Sequence, residues 1–215
     1  MSSSRIGAPA LVAFALLSCA CASSQRVSMH SAPREFTAND YDDVYDAWTR
    51  SADGFDFGQF QDVLNVTSTF EAWEFRWAYV TRYANDFSLS HEARTEMLRA
   101  TLLDAESHHR FFVTMAGRNF RESDLTREQS AWRVILLDEL GRQEAPSEID
   151  HVMRPGARER EYFPSITSFR QTFRITFPAN HADGTPVIAP NASHVILRFT
   201  GPEGTVDLRW DFQGV

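Results

Sequence analysis

The C-terminal stretch from Val195 to Phe212 admits very few arrangements. Val195, Leu197 and Phe199 face one way, Gly201-Pro202-Glu203-Gly204 supplies a turn, and Val206, Leu208, Trp210 and Phe212 face the same way. Residues two apart share one face of a strand, so the two runs present their apolar sets together only as an antiparallel hairpin pairing Thr200 with Thr205. The same register sets Arg198 opposite Asp207 on the polar face, a cross-strand pair worth ~0.2–1 kcal/mol. A slip by one residue would turn the whole apolar set into water. The hairpin register is therefore strongly specified, and the hairpin must cover another apolar layer.

Five further stretches carry strand signals. Residues 60–70 alternate, with Val63, Thr67 and Thr69 on one side, and residues 110–116 set Phe111, Val113 and Met115 against Arg110, Phe112 and Thr114. Residues 131–138 form a nearly continuous apolar run, expected to be a central strand covered on both faces. Residues 148–152 read as a short strand. Residues 168–177 read as a strand with Phe169, Phe173, Ile175 and Phe177 inward and Arg170, Thr172, Arg174 and Thr176 outward. Helical spacing appears in residues 36–49 (Tyr41, Val44, Tyr45, Trp48), in residues 71–86 (Trp73, Trp77, Val80, Ala84), and after Ser90, where Ala93, Met97, Leu98, Thr101, Leu102 and Ala105 recur behind a serine cap. The expected fold class is α+β: one mostly antiparallel β-sandwich-like domain over residues 36–215, with a two-helix insertion at about 71–107 after the first strand.

Composition removes several chemistries. All 21 basic residues are arginine, so a Walker-type phosphate loop, a Schiff-base lysine and a kinase-type ATP lysine are excluded. The two cysteines, Cys19 and Cys21, lie beside the N-terminal leader, so the body has no thiol nucleophile, disulfide or thiolate metal site. With 29 acidic side chains and a formal charge of −8, clustered cations for nucleic acid are not expected. Neither is a polybasic membrane contact.

The leader itself has Arg5, an apolar run from Ala8 to Leu17 and a small-residue exit. The run is roughly half the ~20 residues that a bilayer core requires, so it reads as a secretory signal and not as a spanning helix. Leu16-Leu17-Ser18-Cys19 resembles the lipobox of bacterial lipoproteins. The resemblance stops there; the body carries none. It implies a signal peptide over residues 1–18, lipidation of Cys19 and anchoring through the lipid, with outer-membrane sorting because Ala20 follows the cysteine. Residues 19–35, rich in Ser and with little apolar content, are expected to be a flexible tether.

Catalytic signatures are absent from the sequence. There is no Gly-x-Ser-x-Gly elbow, no His-Glu-x-x-His helix and no Gly-x-Gly-x-x-Gly turn. His91-Glu92-Ala93-Arg94-Thr95 has Thr95 where a second zinc ligand would stand. The acids Asp40, Asp42, Asp43 and Asp46 read as a solvated helix face, and His108 and His109 as cations at a helix C-terminus. The loop from Asn180 to Gly184, with His151 or His194 nearby, is the best group of hard ligands, yet reads better as a polar turn. No catalytic residue, metal or cofactor is assigned. The 17 Phe and five Trp are expected in the core.

One binding candidate remains. Arg170, Arg174, Arg198 and Arg209 would collect on one outer sheet face if the strand of 168–177 pairs with the terminal hairpin, and could then hold an anionic envelope polymer. The expected function is that of a lipid-anchored envelope protein with a non-catalytic binding or scaffolding role; the alternative is an envelope hydrolase acting on glycan or lipid.

Overall fold

The computed structural model describes residues 25–56 and 61–213. The leader, Cys19 and the lipobox lie outside these residues. Four helices and nine strands follow in the order α1 (Tyr41–Trp48), β1 (Thr49–Asp56), β2 (Gln61–Phe70), α2 (Trp73–Asp86), α3 (His91–Ser107), β3 (His108–Gly117), β4 (Arg133–Leu137), β5 (Gln143–Glu144), β6 (Glu148–His151), α4 (Ala157–Tyr162), β7 (Gln171–Pro178), β8 (His194–Gly201) and β9 (Gly204–Asp211). The strands form two antiparallel sheets, ordered β1-β2-β3-β7-β6 and β5-β4-β8-β9. The fold is α+β and sandwich-like, as the patterning requires.

The terminal hairpin has the expected register: Thr200 faces Thr205, and Arg198 makes a two-pronged contact with Asp207 at 2.7 and 2.6 Å. Gly204 closes the turn at φ 141°, a conformation that L side chains rarely adopt. Its inner face meets the first sheet through aromatic contacts. Phe70 stacks on Phe111 at 4.5 Å, and the Trp210 ring lies 5.4 Å from Phe111 and 6.0 Å from Phe70. Trp210 is wholly buried, and its indole N–H donates to the Trp48 carbonyl at 2.8 Å, so its one polar atom is satisfied. Gly54 is needed at this junction, because a Cβ there would stand 2.7 Å from a Val206 methyl.

The outer face of the first sheet lies under the helices. Phe112, opposite in direction to Phe111, stacks on Phe163 at 3.8 Å, and Phe163 in turn contacts Tyr45, Phe75 and Tyr79. Both faces of β3 are thus buried, which hides the alternation of its polarity. The serine cap is present, with Ser90 Oγ accepting from the Ala93 amide at 3.2 Å, but Leu102 is the one buried residue of α3.

Several expectations need correction. The residues of β1, Thr49 to Asp56, are too polar to signal a strand; pairing with β2 makes them one, so the helical insertion follows the second strand. The strand expected at 168–177 begins only at Gln171. Phe169, expected inward, is 84% exposed because a turn at Thr167–Arg170 precedes the strand. β7 runs between β3 and β6 and does not pair with the terminal hairpin, whose neighbour is β4. The expected tether is docked from Val27 onward: Val27 bridges Phe212, and the Trp73 indole donates to the Ala32 carbonyl at 3.0 Å.

Trp210→Ala removes the largest side chain common to both layers. It is expected to cost about 3–5 kcal/mol of unfolding free energy in urea titrations. A loss below about 1 kcal/mol would mean that the inter-sheet core does not depend on this residue.

Candidate functional site

The four arginines do not collect. Arg198 and Arg209 lie on the outer face of the second sheet, where Asp207 and Asp211 neutralise them (Arg209 Nε to Asp211 Oδ1, 2.8 Å). Arg170 and Arg174 lie on the outer face of the first sheet. Because β7 joins the sheet opposite the hairpin, the two pairs occupy opposite sides of the sandwich.

Arg170 rests on hydroxyls. Ser51, Thr67, Thr114 and Thr172 align across β1, β2, β3 and β7, and the guanidinium donates to Thr67 Oγ1 at 2.9 Å, to Thr114 Oγ1 at 3.3 Å and to Asn65 Oδ1. These acceptors are neutral. Arg170 also lines a cavity of about 420 Å³ at the start of β7.

Arg174 is the more open group. Its guanidinium lies over the Phe112 ring at 5.8 Å and has no ion-pair partner among the described residues. It shares a cavity of about 210 Å³ with Arg158, Tyr79, Tyr83 and Phe163. Arg158 projects from α4, lies over Tyr83 at 5.8 Å and donates to the Tyr83 hydroxyl at 3.2 Å; it forms no salt bridge among the described residues, although the charge of neighbouring Glu159 favours it. Glu159, on the same wall, is engaged elsewhere, accepting from the Gly156 amide at 2.9 Å. Tyr79 is the link. Burial and then the charge of Glu71 push its hydroxyl up from the ordinary tyrosine range, and the charges of Arg158 and Arg174 oppose that shift. Two guanidiniums outside any salt bridge among the described residues, two phenolic hydroxyls and the Glu159 carboxylate therefore line one cavity, with Asp150 across from Arg174 on β6; the donors suit an oxyanion.

Sequence reasoning singled out Arg174 and missed its companions. Arg158 sits in Ala-Arg-Glu-Arg-Glu, which looks like a solvated charged run, and Tyr79 and Tyr83 look like one side of an aromatic helix. The spacing of Tyr79 and Tyr83 on α2 was legible; only tertiary packing sets α4 against them.

The histidines are dispersed. Thr95 Oγ1 bonds back to the His91 carbonyl at 2.8 Å, an ordinary helical contact. His181 Nδ1 stands 2.5 Å from Glu144 Oε2, but its other ring nitrogen is buried, with no hydrogen-bond partner among the described residues, and cannot meet a substrate from solvent. His151 lies 3.7 Å from Asp124. Ser193 Oγ lies 2.9 Å from His194 Nδ1, yet the nearby carboxylate, Glu139, accepts from the Ser193 amide at 2.8 Å and does not orient the imidazole, so the geometry of a catalytic triad is missing. No group of three His, Cys, Asp or Glu suited to a metal occurs among the described residues.

His108 and His109 diverge, as adjacency requires, but only His108 stands near a carboxylate, 3.2 Å from Asp104, which Arg76 and Arg110 also hold. His109 turns inward against Phe70. Burial, with Arg76 and His108 adding to it, pushes its pKa down to about 4, so it is neutral and cannot complement the helix end. That corrects the expectation of two helix-terminal cations.

No family model matches the sequence, and no curated protein matches it. Among solved structures, a protein from Burkholderia pseudomallei described as a novel protein of unknown function is 13% identical, with a TM-score of 0.38 over 85% of this chain and 94% of that one. So distant a likeness transfers neither fold nor role.

The buried imidazole has a measurable consequence. A histidine neutral in the fold at a pKa near 4 and titrating at 6.5 when unfolded favours folding fully above pH 6.5 and loses that contribution as pH falls toward 4. Unfolding free energy is expected to decline between pH 7 and 4, and His109→Gln should flatten the decline. An equal slope in the variant would assign the pH dependence to other groups.

Proposed function

We propose that the chain is an exported lipoprotein, anchored through Cys19 to the outer membrane, whose folded domain binds an anionic group of another envelope component without catalysis. The anchor rests on the Leu16-Leu17-Ser18-Cys19 segment and the leader before it. The binding role rests on the Arg158–Arg174 cavity, where two guanidiniums without carboxylate partners among the described residues meet Tyr79 and Tyr83. Glu159 on the same wall and Asp150 opposite Arg174 offset part of this positive charge without pairing with it, and a bound anion offsets the remainder. A phosphate or carboxylate fits the donors, with the aromatic wall excluding water around the contact. Domain and anchor together describe a tethered receptor or scaffold.

Two measurements test this reading. Mass spectrometry of the mature N-terminus should find a diacylated Cys19, and Cys19→Ser should release the protein from membranes; an unmodified N-terminus at Ser23 would refute the anchor. Titration calorimetry with glycerol phosphate should show binding that weakens with added salt. The double variant Arg158→Gln, Arg174→Gln should lose about tenfold or more in affinity, the scale expected for removing charge-assisted hydrogen bonds. Unchanged affinity in a folded double variant would remove the site.

A further inference from the structure

Six large apolar side chains stand more than half in water among the described residues, and three of them gather at one end of the first sheet. Phe120 follows the C-terminus of β3, Met153 follows that of β6, and Phe169 precedes the start of β7. Because β7 runs antiparallel to both neighbours, all three loops leave the sheet at the same end. Phe120 and Met153, 59% and 81% exposed, line the cavity of about 420 Å³, and Phe169 sits between two of its lining residues, Ser168 and Arg170. Large apolar side chains clustered in water mark a contact with another surface.

Charge at the same end narrows the partner. Arg160 lines the cavity, Arg154 follows Met153 and Arg121 follows Phe120; all three are exposed and form no salt bridge among the described residues. Acids stand there too. Glu122 accepts from the Asn119 side chain, Asp124 from Thr126 and Glu203 from Arg118, while Glu159 and Glu161 flank Arg160 in the chain. They temper the positive charge, so the apolar side chains carry most of the contact and the arginines orient it. A bilayer with anionic headgroups matches this combination, its acyl boundary taking the apolar tips and its phosphates the guanidiniums. No polybasic run is involved, since the fold gathers arginines that are separated in sequence.

The tether supplies a second argument, which rests on the anchor proposed above. Arg50 donates to the Gln25 carbonyl at 2.8 Å, and through the paired strands it stands level with Ser68 and Val113. Gly117, where β3 ends, lies about 13 Å further along the strand. The stretch from Cys19 to Gln25 spans at most about 20 Å. An anchored domain therefore stays at the bilayer, and its chain leaves close enough to this end of the sheet for the three side chains to reach the surface.

We propose that this end of the first sheet is a membrane-contacting surface, with Phe120, Met153 and Phe169 seated in the headgroup region of an anionic bilayer and Arg121, Arg154 and Arg160 on lipid phosphates. Co-sedimentation of the full mature chain carrying Cys19→Ser and Cys21→Ser, which bears no lipid, with vesicles of phosphatidylglycerol and phosphatidylcholine tests the surface apart from the anchor. Half-saturation is expected at or below about 1 mM lipid. Binding should weaken about fivefold or more on phosphatidylcholine alone, and about tenfold or more for the triple variant Phe120→Ser, Met153→Ser, Phe169→Ser. If the triple variant does not fold, labels on the otherwise native chain read the contact. An environment-sensitive fluorophore on Ser168→Cys should shift to the blue with vesicles and be quenched by doxyl lipid. One on Asn191→Cys, at the far end of the hairpin whose turn lies by Arg118, should do neither. The proposal is overturned by an absence of binding up to about 5 mM lipid, by equal binding with and without anionic lipid, by full binding in a folded triple variant, or by equal responses of the two labels. A dimer in sedimentation equilibrium that the triple variant breaks would overturn it as well, giving the surface to a second copy. An unmodified N-terminus would remove the anchor but not a surface that binds vesicles without it, so the two readings fail separately.

Discussion

The packing of Trp210 between the two sheets is the contact on which the remaining architecture rests. Its ring reaches Phe70 and Phe111 on the first sheet from the last strand of the second, and its indole N–H closes on the Trp48 carbonyl at the end of α1. One side chain thus joins the terminal hairpin, the central strands of the five-stranded sheet and the helix that leads into β1. Aromatic burial supplies most of the free energy at such a junction, and the satisfied N–H avoids the penalty of a buried lone donor. Gly54 lets β1 come close enough to β9 for the layers to meet.

With the inner faces committed to each other, the first sheet has a second face to cover, and it does so in two ways. Toward α1 and α2 the cover is aromatic, with Phe163 lying on Phe112 and the tyrosines behind it. Toward the start of β7 the cover is polar, a row of hydroxyls under Arg170. The segment carrying α4 crosses the boundary between these regions. It contributes Arg158 to the smaller cavity and Arg160 to the larger, two residues apart in sequence. The anion-binding chemistry proposed for the protein is concentrated on this segment and on β7 beneath it.

Charge in the molecule follows a consistent division. Where a strand offers a facing acid, arginine is neutralised, as at Arg198 with Asp207, and Asp104 is shared by Arg76 and Arg110. Around β7 the acids stand close without forming salt bridges: Asp150 on β6 faces Arg174 across the strands, and Glu159 bonds to its own helix start. Cations left in this way have partly apolar surroundings and neutral hydrogen-bond acceptors, which hold the guanidinium in place without cancelling its field.

How much of this was readable beforehand depended on the range of the interaction. The terminal hairpin, its register, the Arg198–Asp207 pair and the serine cap of α3 are local: alternation with period two and a single turn leave one arrangement, so the residues alone determined them. The expected leader and the lipobox resemblance also rest on linear pattern, on residues outside those the structure describes. The place of β7 was not legible, because Phe173, Ile175 and Phe177 fit the apolar face of either sheet equally well and strand order is decided by which layer each surface finally buries. β1 was hidden for a related reason, since its polar residues become a strand only by pairing with β2. Arg158, Tyr79 and Arg174 come from α4, α2 and β7, far apart in the chain, and no spacing rule links them. Their convergence is a product of three-dimensional packing, so the sequence by itself determined the local elements and the chemistry available, and only the tertiary structure decided which charges meet a partner and which are left to face a cavity.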